Sequence, residues 1–314
     1  MAKSPRLSGT IVRVDARQCE VLVDGETDPL PAHMRGKIFA GRSEDKTPVA
    51  VGDVVDLERS ELGLSIEKTH TRTNLFCRRS AGGDTRRQPL AANVDQVVLV
   101  ACFGTPPFSS MTTDRILAAT SFAGIPTTIV INKTDQAKKG KREKIARTYR
   151  AIAQPLLFTS AALREGIEEF RDLLLGKTSV LYGLSGVGKS SLLNLIEEGL
   201  GIKTREVSAS LRSGRHTTTY ARLYPLKGAG GGSVIDTPGV RSFRPYGIPP
   251  KELKMHFAEL VTASQMCQFH SCYHRKEPGC SILKAIEDGR ISETRYRAYL
   301  EILTELEEEY GRIS

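Results

Sequence analysis

At 314 residues the chain is long enough for two or three domains, and its ordinary globular composition excludes fibrous, low-complexity and wholly disordered classes. Its net charge of +9 suits a polyanionic partner as readily as a merely solvated basic surface. It has no run of 18 apolar residues to cross a membrane and no apolar segment following residues 1–7, so neither membrane nor secretion is expected and the cytoplasm is the expected compartment.

Residues 8–68 read as short strands between polar and glycine-containing turns, at 9–14, 19–23, 36–40, 53–57 and 63–67. Five such strands suggest a small barrel, for which an OB-fold and an SH3-like domain both fit. Residues 70–91 form a polar connector with Arg72, Arg78, Arg79, Arg86 and Arg87 around Gly82-Gly83. It reads equally as a flexible linker or as an RNA-contacting arm.

From Val94 the pattern becomes α/β. The nearly continuous apolar run 96–103 is typical of a parallel strand buried on both faces. Helical stretches at 112–123, 138–153 and 165–175 alternate with strands at 127–131 and 155–158, and a further strand runs into Gly183. This alternation means a doubly wound parallel sheet, whose ligands bind at the carboxyl ends of its strands.

Three loops at such strand ends carry chemistry. Asn132-Lys133-Thr134-Asp135 is the guanine-reading N-K-x-D pattern. The Asp135 carboxylate can accept from the ring N–H and the exocyclic amine of guanine, a donor pair that adenine lacks; Asn132 braces the loop and the Lys133 stem covers the base. Thr159-Ser160-Ala161 fits the second base loop, acting through the Ala161 N–H. Gly183-Leu184-Ser185-Gly186-Val187-Gly188-Lys189-Ser190, followed by Ser191, is a phosphate-binding loop between a strand and a helix that Gly199-Leu200-Gly201 would close. Its glycines let backbone N–H groups converge on phosphate oxygens, Lys189 reaches the β- and γ-phosphates, and Ser190 ligates Mg2+.

Downstream, Asp236-Thr237-Pro238-Gly239 is a D-x-x-G motif, with Asp236 near Mg2+ and the Gly239 N–H for the γ-phosphate. Between the two phosphate motifs lies Gly214-Arg215-His216-Thr217-Thr218-Thr219, where the first switch belongs. Thr217 is favoured over Thr218 to complete the Mg2+ shell. Val240 stands where many GTPases carry the glutamine that positions water, which makes His216 the candidate for that task. The base loops precede the phosphate loop, an order that reads as a circular permutation of a GTPase domain.

The chain has six cysteines, three of them in the last part as Cys267-x4-Cys272-x-His274-x5-Cys280. Three thiolates and an imidazole make a closed tetrahedral set suited to one structural Zn2+, with His270 as a competing ligand. This clustering fits a reducing compartment better than a disulfide framework does. Residues 292–310 read as a terminal helix with Tyr296, Leu300, Leu303 and Leu306 on one face.

The succession of N-K-T-D, T-S-A, the phosphate loop, G-R-H-T-T-T, D-T-P-G and the cysteine–histidine set resembles the RsgA (YjeQ/YloQ) family of circularly permuted bacterial GTPases. Asn93-Val94-Asp95 and Asp114-Arg115-Ile116-Leu117 also resemble family positions. The resemblance implies an OB-fold at residues 1–70, a linker at 71–91, a permuted GTPase domain at 92–245 and a zinc-binding helical domain at 246–314. It further implies a GTPase that assists late maturation of the small ribosomal subunit, binds its rRNA, is stimulated by the ribosome and uses His216 in hydrolysis. A monomer is expected.

Overall fold

The computed structural model describes residues 7–313, apart from 16–17, 36–37, 39–43, 62, 81, 83, 198–220, 228–230 and 238–241. Strands β1 (Leu7–Val14), β2 (Gln18–Val23), β3 (Leu30–Met34), β4 (Val54–Ser60) and β5 (Gly63–Thr69) pair in the order β1-β2-β3-β5-β4. The barrel closes through a β1–β4 pairing, and β3 runs parallel to β5, which is the OB arrangement. Alternate residues Ile11, Val21, Val23, Val55, Leu57 and Ile66 fill its interior. The third strand is β3 rather than 36–40; of the latter only Ile38 is described, and it is not in a strand. β3 buries a single small side chain, Ala32, and contains Pro31, so its hydrophobic alternation is nearly silent.

The connector carries regular structure. β6 (Leu75–Arg79) and β7 (Arg87–Ala92) form a two-stranded antiparallel hairpin. Its arginines are ties within the chain. Arg72 donates from Nε to Asp53 at 2.7 Å and from Nη1 to Asp45 at 3.3 Å, both barrel-side carboxylates. Arg87 also bonds Asp45, Arg86 pairs with Asp84 at 2.9 Å, and Arg79 reaches Glu309 near the end of the chain at 3.5 Å. Backbone packing tightens the same joint. Gly52 lies at φ +92, and a Cβ there would sit 2.1 Å from the Ala92 carbonyl oxygen. Asn93 Nδ2 donates to the Gly52 carbonyl at 2.9 Å, while its Oδ1 accepts from the Thr73 N–H at 2.8 Å.

The central sheet runs β10 (Leu156–Phe158), β9 (Thr127–Asn132), β8 (Gln96–Cys102), β11 (Thr178–Tyr182), β13 (Ser233–Asp236), β12 (Arg222–Pro225). It is parallel except for β12. The unbroken apolar run of β8 serves two cores, with Val97 and Leu99 on one face and Val98, Val100 and Cys102 on the other. Helices α1 (Ser110–Phe122), α2 (Lys141–Arg150), α3 (Ile167–Leu174) and α4 (Lys189–Ile196) cover the faces. The chain winds outward from β8 to β10, then returns to β11 on the other side of β8, so the topological switch point lies between β8 and β11. At its far edge the sheet continues into the barrel, where β12 pairs with β1 through Arg222 and Arg13.

Helices α5 (Ala258–Ser264), α6 (Ser281–Glu287) and α7 (Glu293–Ile313) build the C-terminal part around Phe257, Leu260, Ile282, Ile302, Leu303 and Leu306. Leu303 and Leu306 of the expected helical face are buried, with Tyr296 and Leu300 packed against them. This core includes Ala118 of α1, so it is continuous with the central domain. A buried ionic cluster spans the same boundary. Arg295 Nη1 donates to Asp114 at 2.6 Å and Nη2 to Glu259 at 3.1 Å, and the Tyr149 hydroxyl donates to Asp114 at 3.1 Å.

Candidate active site and metal centre

Because the sheet strands that carry the motifs are parallel, their carboxyl ends converge on one edge. Asn132 ends β9, Thr159-Ser160-Ala161 follows β10, Gly183 follows β11 and Asp236 ends β13. Asn132 is buried and links two of these loops. Its Nδ2 donates to the Val187 carbonyl at 2.9 Å, inside the phosphate loop. Its Oδ1 accepts from the Ala161 N–H at 3.1 Å and the Thr159 hydroxyl at 3.3 Å. Lys133 sits at φ 60 and its Nζ donates to the Thr105 carbonyl at 2.7 Å, while the Thr134 N–H donates to the Thr159 carbonyl at 3.1 Å. Asp135 is exposed, with Oδ1 accepting from the Ser160 hydroxyl at 2.6 Å. That bond orients a carboxylate left open to a ligand.

The phosphate loop depends on two close approaches. A Cβ on Gly183 would stand 2.1 Å from the Val100 carbonyl oxygen of β8. Gly188 has φ +99, and a Cβ there would lie 2.2 Å from Asn132 Nδ2. Leu184 is half-buried, Ser185 and Gly186 are exposed, and Val187 is buried beneath the loop. Lys189 opens α4, followed by the partly buried Ser190 and Ser191. The ammonium of Lys189 donates to the Gly183 carbonyl at 2.8 Å. Burial lowers its pKa, with Asp236 opposing the shift. Burial also pushes the Asp236 carboxyl up to about 6 against the pull of Lys189, and Asp236 Oδ1 is buried without a hydrogen-bond partner. A desolvated ammonium and a desolvated carboxylate with an unused oxygen fit a site for phosphate and a hard divalent cation such as Mg2+. His216, Thr217, Thr218, Gly239 and Val240 lie outside the described residues.

The C-terminal cluster unites Cys267, Cys272, His274 and Cys280, whose ligand atoms lie within 4.8 Å of one another. Cys267 Sγ is 4.0 Å from Cys280 Sγ, and His274 Nδ1 lies 3.6 and 3.5 Å from those two sulfurs. Tetrahedral zinc with Zn–S near ~2.3 Å requires S···S separations of about 3.8 Å, so the set fits the ion. Burial, then the charge of Lys254, holds the His274 pKa down at about 4, leaving the imidazole neutral with a lone pair to give. His270 is exposed and does not join this group among the described residues.

Sequence reasoning missed one structural support of the site and one tie between the domains. Ser160 as the hydrogen-bond donor to Asp135 had a signal only in its place within T-S-A. The Asp114–Arg295–Glu259 cluster, which ties α1 to α5 and α7, had a signal only in the resemblance of Asp114 to a family position, because its partners are brought to it by helix packing.

A family model described as RsgA GTPase matches residues 69–245. A Bacteroides fragilis protein named small ribosomal subunit biogenesis GTPase RsgA is 37% identical over 265 residues, 83% of this chain and 85% of that protein. A Chlorobaculum parvum protein of the same name is 36% identical over 312 residues, 96% of this chain and 99% of the relative. Among solved structures, YjeQ from Thermotoga maritima superposes with a TM-score of 0.72 at 33% identity, covering 96% of this chain and 99% of that one. YloQ, described as a circularly permuted GTPase, gives a TM-score of 0.64 at 29% identity and covers 98% of each chain.

Proposed function

The chain belongs to the RsgA GTPase family and is a GTPase; on that premise we propose that it acts on the small ribosomal subunit, assists its late maturation, and turns over GTP faster when bound there. The observation that carries this reading is a likeness spanning barrel, nucleotide domain and cysteine cluster, 96% of the chain, to a protein named for that task. The cytoplasm, where ribosomes assemble, is the compartment this reading requires, and a monomer suffices for it.

In this reading Asp135, oriented by Ser160, accepts from the guanine ring N–H and amine. Asn132, Lys133, Thr134 and the Thr159-Ser160-Ala161 loop shape the base site. The backbone from Gly183 to Ser191 and the Lys189 ammonium hold the phosphates. Ser190 and Thr217 would ligate Mg2+, which neutralises phosphate charge when bound, with Asp236 supporting that shell. The Gly239 N–H would donate to the γ-phosphate. His216 would orient the attacking water, because Val240 has no group to do so, and rRNA contact would set His216 in place. Phosphoryl transfer needs mainly positioning and charge stabilisation, so slow intrinsic turnover with large stimulation follows. Hydrolysis then releases the protein. Cys267, Cys272, His274 and Cys280 would hold one structural Zn2+ that stabilises the C-terminal fold.

The test is GTP turnover with and without purified small subunits at fixed salt, with large subunits and ATP as controls. Stimulation by small subunits alone is expected, and it should be lost in His216→Ala. Turnover indifferent to small subunits would refute the partner; undiminished stimulation of His216→Ala would refute the role of His216.

A further inference from the structure

The stretch 138–150 contains seven cations, Lys138, Lys139, Lys141, Arg142, Lys144, Arg147 and Arg150, against one acid, Glu143. Its net +6 compares with +9 for the whole chain. Lys138, Lys141, Lys144, Arg147 and Arg150 recur every third residue, and all five are exposed. On α2 this spacing makes an inclined i,i+3 ridge that turns about 60° per step, so Lys141, Lys144 and Arg147 span about 9 Å over roughly a third of the circumference while Arg150 falls on the side opposite Lys141.

Two observations separate this ridge from an ordinary solvated face. First, among the described residues none of the ion pairs involves residues 138–150, whereas Arg72, Arg79, Arg86 and Arg87 of the connector are each matched to a carboxylate. Second, the three-residue repeat of like charge carries a local cost. Like charges at i,i+3 repel, and Lys141 and Arg142 face the positive end of the helix dipole, while Glu143 in the first turn and Arg147 and Arg150 in the last offset part of that cost. A repeat of exposed like charges that the fold leaves without carboxylate partners among the described residues is a source of positive potential for a polyanion.

We propose that the α2 ridge is an RNA-backbone contact surface, with Lys141, Lys144 and Arg147 each facing a phosphate. The proposal rests on the functional reading above, which supplies the RNA, and extends it to a face of the nucleotide domain. Charge complementarity selects a polyanion. Burial of Ala146 and Tyr149, with Ile145 packed against the core, selects RNA over an anionic membrane, because α2 has no free apolar face to insert. Arg142 has a different task. Its guanidinium lies 4.6 Å from the Phe158 ring centroid, directly before the Thr159-Ser160-Ala161 loop, so it fixes the helix beside the base site.

The test is the variant Lys141→Gln/Lys144→Gln/Arg147→Gln, which removes three exposed cations and leaves Arg142 intact. Affinity for purified small subunits is measured across a salt series, alongside basal GTP turnover and the thermal midpoint. Unchanged basal turnover and midpoint are expected, with roughly tenfold or greater loss of affinity near 100 mM salt and a log–log salt slope shallower by about 2 to 3. A hydroxyl-radical probe carried on Lys144→Cys should cleave rRNA in the bound complex. Native binding with unchanged variant affinity and slope overturns the ridge while leaving the functional reading intact. Failure of the native chain to bind subunits overturns that reading and the ridge with it. Loss of binding to phosphatidylserine vesicles but not to subunits would assign the ridge to a membrane and overturn the proposal.

Discussion

Replacing Asn132 with alanine tests whether the base loop and the phosphate loop share one strut. The buried side-chain amide makes three hydrogen bonds to two loops, one to the Val187 carbonyl and two from the Ala161 N–H and Thr159 hydroxyl. Alanine leaves all three partners without their mate, the Val187 carbonyl and the Thr159 hydroxyl in buried surroundings and the Ala161 N–H in a partly buried one. At about 1 kcal/mol per net bond, with the 3.3 Å contact counted as weaker, the chain should lose roughly 2–4 kcal/mol of stability. Part of that loss should appear in nucleotide affinity, since Gly188 approaches so closely that its added Cβ would meet Asn132 Nδ2 at 2.2 Å. The assay pairs urea unfolding of the nucleotide-free protein with titration of a fluorescent GDP analogue. The expected result is a lower urea midpoint together with a drop in affinity of about 10- to 100-fold, equivalent to ~1.4–2.8 kcal/mol. A destabilised protein that binds GDP within about twofold of native would refute the reasoning, because Asn132 would then be an ordinary buried amide.

Asp135→Asn should exchange guanine for xanthine preference, read as competition between GTP and xanthosine triphosphate; retained preference for GTP would remove Asp135 from base recognition. Cys272→Ser should lower zinc per chain in elemental analysis and destabilise the C-terminal core by several kcal/mol in order of magnitude, and a full zinc complement in a stable variant would count against the four-ligand set. Asp114 offers a pH test. Burial pushes its carboxyl up to about 6, with Arg295 opposing, whereas an unfolded aspartate titrates near ~3.9. The folded chain therefore binds the extra proton between those values, and the resulting stability is complete below about 3.9 and lost as pH rises through about 6. Native stability relative to Asp114→Asn should accordingly improve by on the order of 1 kcal/mol from pH 7 to pH 5 in urea unfolding, and a constant difference would contradict the shift.

The features legible in the sequence share one property, that their residues are contiguous. The phosphate loop, N-K-T-D, T-S-A and the cysteine–histidine set each need neighbouring residues on one turn or strand end. The strand–helix alternation around them is legible because β8 must be apolar on both faces. β3 escaped because one buried alanine and a proline carry no alternation. The β6–β7 hairpin escaped for an electrostatic reason. The connector's arginines are the residues expected of a flexible or RNA-contacting arm, and the carboxylates that hold Arg72, Arg79 and Arg87 are Asp45, Asp53 and Glu309, distant in sequence.

That last point decides how the positive charge of this protein is to be read. Net charge is a property of composition, but attraction for a polyanion depends on which cations remain uncompensated after folding. Two arginine- and lysine-rich stretches look alike in sequence, at 72–87 and at 138–150, and folding separates them. Tertiary contacts match three of the five connector arginines, Arg72, Arg79 and Arg87, to carboxylates and spend them on holding the barrel and α7 to the hairpin, while Arg86 pairs locally with Asp84. The cations of α2 receive no carboxylate among the described residues, and one of them, Arg142, stacks on a phenylalanine instead. The connector thus carries architecture and α2 carries free positive potential, a division that pairing of distant residues creates and that no local pattern could encode.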